Sequence, residues 1–149
     1  MKGYWGAPDL TAAALKDGFY HTGDVATVDE EGYLYIVDRK KEMIVSGGFN
    51  VYPLEVEKVL YAHPKVLEAA VVGVPSDQWG EEVKAVVVLK ADSSATADEL
   101  LSYCKQHLSG FKRPKSVDLV DELPKSDNGK VVRRLIRDRY WVGQARNVG

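Results

Sequence analysis

An α+β fold is predicted, on three observations. Ala69–Val74 and Val83–Leu89 are almost continuously apolar, as strands buried on both faces of a sheet are. After Pro53 and after Thr96, apolar residues recur at three- and four-residue intervals, the spacing of an amphipathic helix. From Met43 onward the order reads strand, helix, strand, strand, helix, strand, helix. Together these describe a small domain of about 100 residues, a short mixed sheet of about three strands flanked by helices, preceded by a β-hairpin.

The elements follow in order. Residues 1–18, with Gly3, Gly6, Pro8 and Gly18, read as irregular. Val25–Val28 and Tyr33–Val37, separated by Asp29-Glu30-Glu31-Gly32, predict a hairpin closed by a short glycine-containing loop. The charged run Asp38–Glu42 leads into a short apolar strand, Met43–Val45. Pro53 opens a helix along Val56, Val59, Leu60 and His63, and Pro64 stops it. Pro75-Ser76-Asp77 marks the turn between the two apolar strands. Thr96 and Glu99 form a capping box ahead of Leu100, Leu101, Cys104 and Leu108. Gly110 is placed as the left-handed residue that ends this helix. Val117–Val120 reads as another strand, and a last helix is expected from about Lys130 to Tyr140. Its inward residues would be Val132, Leu135 and Ile136, and its outward ones Arg133, Arg134 and Arg137. The expected organisation is 1–40, the tail of something larger; 41–141, the α+β domain; and 142–149, a flexible tail.

Composition narrows the function classes. The chain has 149 residues, a net charge of −2 and 45% hydrophobic residues, enough for one core. No stretch approaches the roughly 18 apolar residues of a membrane span, and the N-terminus lacks the apolar core of a signal peptide. One cysteine, Cys104, excludes an internal disulfide and a cysteine metal cluster; a reducing cytoplasm fits. Residues 101–149 hold 11 of the 20 Lys/Arg and 5 of the 22 acids. That basic end suits an anionic partner or a solvated face, but no nucleic-acid-binding motif accompanies it. His21, His63 and His107 lack ligand spacing, so no metal site is expected.

Four segments carry the chemistry: His21-Thr22-Gly23-Asp24, Asp38-Arg39-Lys40-Lys41, Ser46-Gly47-Gly48-Phe49-Asn50, and Pro124-Lys125-Ser126-Asp127-Asn128-Gly129-Lys130. In this order and spacing they resemble the C-terminal part of the AMP-forming acyl-CoA synthetases of the adenylate-forming superfamily. The resemblance runs from Gly3-Tyr4-Trp5 to about Tyr140. It implies a two-step reaction. A carboxylic acid and ATP give an acyl-adenylate and pyrophosphate, and the thiol of coenzyme A then displaces AMP. A small C-terminal domain rotates between the steps. The resemblance also implies a missing partner, the large N-terminal domain that carries the phosphate loop, the acyl pocket and most of the Mg2+ site. Residues 1–40 would then be the tail of that domain, the isolated chain would be inactive, and its exposed apolar surface would let it self-associate.

The resemblance implies roles residue by residue. Lys130 matches the lysine that stabilises charge on the α-phosphate during adenylation. Asp24 matches the carboxylate that accepts the ribose hydroxyls of ATP and AMP, and Arg39 a second nucleotide contact. Lys41 falls at the hinge, where many relatives have aspartate. Gly47 and Gly48 match the loop lining the pantetheine tunnel. Phe111, Arg113 and Lys115 match residues that some ligases use for the nucleotide of coenzyme A. Without the resemblance, Asp24 is a turn carboxylate, Gly47 and Gly48 are turn glycines, and Phe111–Lys115 is a solvated basic loop. Two other readings remain: an enzyme that loads a carrier-protein thiol, and a non-catalytic nucleotide- or CoA-binding module.

Overall fold

The computed structural model describes residues 1–144, and they fall into two compact units, 1–40 and 41–144. In the first unit, helix α1 spans Pro8–Ala14, where the glycine-rich sequence reads as irregular. Pro8 explains it, because proline at the first helical position forfeits no hydrogen bond. A two-residue hairpin follows, strand β1 (Leu15–Lys16) and strand β2 (Phe19–Tyr20). Asp17 and Gly18 turn it with φ of 51° and 81°, the left-handed pair that an Asp-Gly hairpin requires.

The predicted hairpin is strand β3 (Asp24–Val28) against strand β4 (Leu34–Arg39). Asp29 closes its loop, accepting at Oδ1 from the Glu31 and Tyr33 amides and at Oδ2 from the Tyr35 hydroxyl. The Tyr35 hydrogen bond is the main reason the Asp29 carboxyl lies below its ordinary value. No apolar residue of this unit is buried, and Trp5, Phe19, Leu34 and Ile36 are all exposed.

The second unit is a five-stranded sheet with helices on both faces. Its elements are strand β5 (Ile44–Ser46), strand β6 (Phe49–Val51), helix α2 (Pro53–Tyr61), strand β7 (Val66–Ser76), strand β8 (Gly80–Leu89), helix α3 (Ala97–His107), strand β9 (Ser116–Leu119) and helix α4 (Arg133–Tyr140). The strand order is β6-β5-β8-β7, and β9 adds to β8 in parallel. Five strands stand where about three were expected. The short strand read at Met43–Val45 joins the sheet as β5, and Gly47-Gly48 folds Phe49–Val51 back on it as β6, a segment too short to show a period.

The central pair matches the reading of strands buried on both faces. Ala69, Val71, Val83, Ala85 and Val87 pack with Val56, Leu60, Leu100 and Cys104 on the α2/α3 side. Ala70, Val72, Val74, Val86 and Val88 pack with Leu123 and Ile136 on the α4 side. Burial pushes the Cys104 thiol up to about 11, which keeps it protonated and unreactive at neutral pH.

Three local expectations change. Thr96 caps α3 by accepting from the Glu99 amide at 3.1 Å, but the Glu99 carboxylate turns to Lys65 at 2.9 Å. The helix ends in an extended Leu108, and Gly110 opens a 3-10 turn, Gly110–Lys112, with no positive φ. The last helix starts at Arg133, because Val131 is still bridged to Lys125 and the Val132 amide donates to the Pro124 carbonyl at 2.8 Å. Ile136 is buried, but Leu135 is exposed and Arg133 points inward. Residues 145–149 of the expected tail lie outside the described residues.

Candidate functional site

Lys130 is presented by its own turn. The Ser126 amide donates to the Lys130 carbonyl at 2.9 Å, and the Gly129 amide donates to the Ser126 carbonyl at 2.8 Å. Ser126 Oγ lies 2.6 Å from Asn128 Oδ1 and 3.0 Å from the Lys130 carbonyl. Gly129 has φ of 77°, a conformation that costs glycine little and other residues more. The base is tied down by the Lys125–Glu68 ion pair at 2.6 Å. Lys130 itself is exposed, and no ion pair reaches it among the described residues. The backbone fixes where its ammonium starts and leaves the ammonium to act outward.

Asp24 and Arg39 are brought together as a cross-strand pair of β3 and β4, with Arg39 Nε 3.3 Å from Asp24 Oδ1. The Asp24 amide donates to Thr22 Oγ1 at 3.0 Å, and the Lys40 amide donates to the Gly23 carbonyl at 2.8 Å. This anchors both ends of the segment. Arg39 is 70% exposed and Asp24 25%, so the pair can take up a ligand at modest desolvation cost. Lys41 lies in a 3-10 turn, Lys40–Glu42, at the start of the second unit.

Gly47 and Gly48 turn β5 into β6 with φ of 58° and 83°, again a left-handed pair. Their surroundings differ. A Cβ on Gly47 would lie 2.6 Å from Trp79 Cε3, whereas one on Gly48 would meet nothing within 4 Å. The Gly47 amide also donates to the Trp79 carbonyl at 3.0 Å, so Trp79, to which sequence reasoning gave no role, shapes this turn. Next to it, Phe49 stacks on Phe111 with centroids 4.8 Å apart. The structure thus unites the glycine turn with the Phe111 loop through Phe49. Of the loop's cations, Lys112 pairs with Glu55 at 2.6 Å, Arg113 Nε donates to the Leu108 carbonyl at 2.9 Å, and Lys115 is exposed.

The Lys130 turn and the glycine turn lie towards opposite ends of the β7–β8 hairpin. Ser46, beside the glycines, is in register with Gly80, the partner of Ser76. Lys125 is tied instead to Glu68. Eight residues of strand separate Glu68 from Ser76, about 26 Å at 3.3 Å per residue.

Sequence reasoning missed one charged cluster. Glu57, an acid on helix α2, is 3% exposed. It accepts from the Val71 amide at 2.9 Å, capping an N–H of edge strand β7, and from Arg133 Nε at 2.7 Å and Arg133 Nη2. Arg133 Nη1 also pairs with Glu42. The signal was available: Glu57 sits with Pro53, Val56 and Leu60 on the buried face of α2, where an acid needs a cation. Among the described residues no cluster of three His, Cys, Asp or Glu could hold a metal ion, and no helix is long and apolar enough to cross a membrane.

The profile of the AMP-binding enzyme C-terminal domain matches residues 55–130. A long-chain-fatty-acid–CoA ligase of Yersinia pestis is 57% identical over 138 residues, 93% of this chain and 24% of that ligase. A feruloyl-CoA synthase of an Amycolatopsis species is 52% identical, over 94% of this chain and 28% of its own length. The crystal structure of ATP-bound MatB from Rhodopseudomonas palustris superimposes with a TM-score of 0.86 at 42% identity, over 93% of this chain and 28% of that one. The chain therefore spans about a quarter of the length of these relatives, and it belongs to the AMP-binding enzyme C-terminal domain family.

Proposed function

We propose that this chain is the C-terminal lid of an ATP-dependent acid–CoA ligase, with Lys130 serving adenylation and the Gly47-Gly48/Phe111 end serving thioester formation. The observation that carries this reading is the separation of those two ends along one sheet. An ammonium and a glycine turn anchored to strand positions about 26 Å apart cannot serve one reaction centre at the same moment. Rotation of the domain brings them there in turn.

In the first step the acid's carboxylate oxygen attacks the α-phosphorus of ATP and pyrophosphate leaves. Lys130 bridges the carboxylate and the α-phosphate and offsets the charge that accumulates there. Asp24 accepts from the ribose hydroxyls, and Arg39, already beside it, completes the nucleotide contact. Rotation at Lys41, in the charged run that joins the two units, then withdraws Lys130. The thiol of coenzyme A attacks the acyl carbonyl, and AMP leaves with the bonding electrons. Gly48, with open space where a Cβ would be, lets the pantetheine pass. Phe111 and Phe49 offer a stacking face for the CoA nucleotide, flanked by Arg113 and Lys115. Mg2+ would neutralise the phosphates when bound, and its protein ligands are assigned to the large domain.

Residues 1–40 are read as the end of that large domain. A unit with no buried apolar residue and exposed Trp5, Phe19, Leu34 and Ile36 calls for a covering partner. The cytoplasm is the proposed setting.

The test uses the full-length enzyme carrying Lys130→Ala. ATP–pyrophosphate exchange is expected to fall about 10²–10³-fold. Transfer of the acyl group from supplied acyl-adenylate to coenzyme A should hold near the wild-type rate. Equal loss in both half-reactions would sink the assignment.

A further inference from the structure

We propose that Arg133 is a positioning residue that locks Lys130 to the hinge turn through Glu42. The inference rests on the preceding reading of Lys130 and Lys41.

Arg133 does more than the fold requires. Buried Glu57 needs a cation, and Nε and Nη2 of Arg133 supply it as a two-toothed fork, with the Val71 amide completing the shell. That arrangement is self-sufficient. The third arm, Nη1, goes to Glu42, whose side chain is 31% exposed and accessible to water. Glu42 is the residue directly after Lys41. The surplus hydrogen bond of a buried ion pair is therefore directed at the hinge.

The other side of Arg133 leads to Lys130 without slack. Only Val131 and Val132 intervene, one bridged to Lys125 and the other bonded through its amide to the Pro124 carbonyl. Three residues of chain span at most about 11 Å, and both intervening residues are tied to the 124–125 segment. One guanidinium thus joins the turn at residues 40–42 to the segment that presents the ammonium. The glycine turn has no such need, because strand β5 connects it to the hinge within five residues of sequence. Lys130 is 89 residues beyond Lys41, and the Glu42–Arg133 contact is a short path between them. Loss of that contact should blur the placement of Lys130 and spare the placement of Gly47-Gly48.

The test is Glu42→Gln and Glu42→Ala in the full-length enzyme, beside Lys130→Ala and the double variants. Both Glu42 variants keep the Glu57–Arg133 fork, so their melting temperatures should stay close to the parent's. Adenylation, read as pyrophosphate exchange, is expected to fall about 10–100-fold in Glu42→Ala, the loss that misplacing a reacting group by about 1 Å brings. Transfer from supplied acyl-adenylate should stay near the parent's. In the Lys130→Ala background, loss of Glu42 should cost little more, since a misplaced group that is already absent cannot be lost twice. Unchanged adenylation in both Glu42 variants, or equal loss in both half-reactions, overturns the inference while leaving the role of Lys130 intact. Unchanged adenylation in Lys130→Ala itself would instead fail the underlying reading.

Discussion

The two ends of the sheet solve opposite problems. At the Lys130 end, a polar turn uses backbone and Ser126 hydrogen bonds to hold a cation outward, with little side-chain packing around it. At the other end, Gly47-Gly48 is pressed between the Trp79 ring on one side and open space on the other, beside the Phe49–Phe111 stack. One end presents a charge; the other presents a glycine turn beside an aromatic stack. Electrostatic stabilisation needs a preorganised group that arrives without reorganising. Passage of a long thiol needs backbone without side chains. On the proposed reading, a single sheet carries both because its ends are far enough apart to be used in turn.

Substituting the two glycines separately is the strongest way to break this comparison. Gly48→Ala puts a methyl on the open side at a φ of 83°, a strain of about 1–2 kcal/mol, and thioester formation is expected to fall about tenfold or more while pyrophosphate exchange persists. Gly47→Ala instead drives a methyl to 2.6 Å from the Trp79 ring at a φ of 58°. It should cost about 2 kcal/mol of stability, seen as a lower denaturation midpoint. If Gly48→Ala slowed both half-reactions alike, the passage would not be specific to the second step.

A smaller effect is expected from Phe111→Ala. Loss of one stacking face should weaken coenzyme A binding by about 1 kcal/mol or more, measured by calorimetry on the full-length enzyme, with ATP binding unchanged. Coenzyme A affinity equal to the parent's would reduce Phe111 to packing against Phe49.

The smallest effect is expected on the α4 side, where Asp118 holds Lys84 at 2.7 Å and accepts from the Tyr140 hydroxyl. Burial alone would raise the Asp118 carboxyl, but the hydrogen bonds from Lys84 and Tyr140 and the charge of Lys84 outweigh it and leave it below its ordinary value. A lowered folded value means stability that is present above the unfolded carboxylate value of about 3.9 and lost as pH falls through the folded value. The melting temperature of Asp118→Asn should therefore lie below the parent's at pH 7, and the gap should close below about pH 4. A gap that stays constant down to pH 3 would remove Asp118 from the acid response.

Much of the fold was legible because it depends on neighbours in sequence. The apolar runs at 69–74 and 83–89, the Pro53 helix start and the Thr96 cap are local signals. Strand β6 and helix α1 were missed because three and seven residues are too few to show a period against glycine-rich flanks. The four motif segments and the Phe111–Lys115 loop supplied the candidate residues, and the structure shows that Asp24 faces Arg39 and that Phe111 joins the glycine turn through Phe49.

By itself the sequence determined the α+β class, the buried central strands and the turn that carries Lys130, since each follows from side-chain period or from the backbone freedom of Gly, Asn and Asp. Only the tertiary structure decided that Arg133 turns inward to Glu57 and Glu42 and that Trp79 demands glycine at position 47. It alone set Lys130 and the glycines towards opposite ends of one hairpin. Those contacts join residues 32 to 91 positions apart. A buried carboxylate finds its cation, and a ring its gap, only once the strands have set the distances between them.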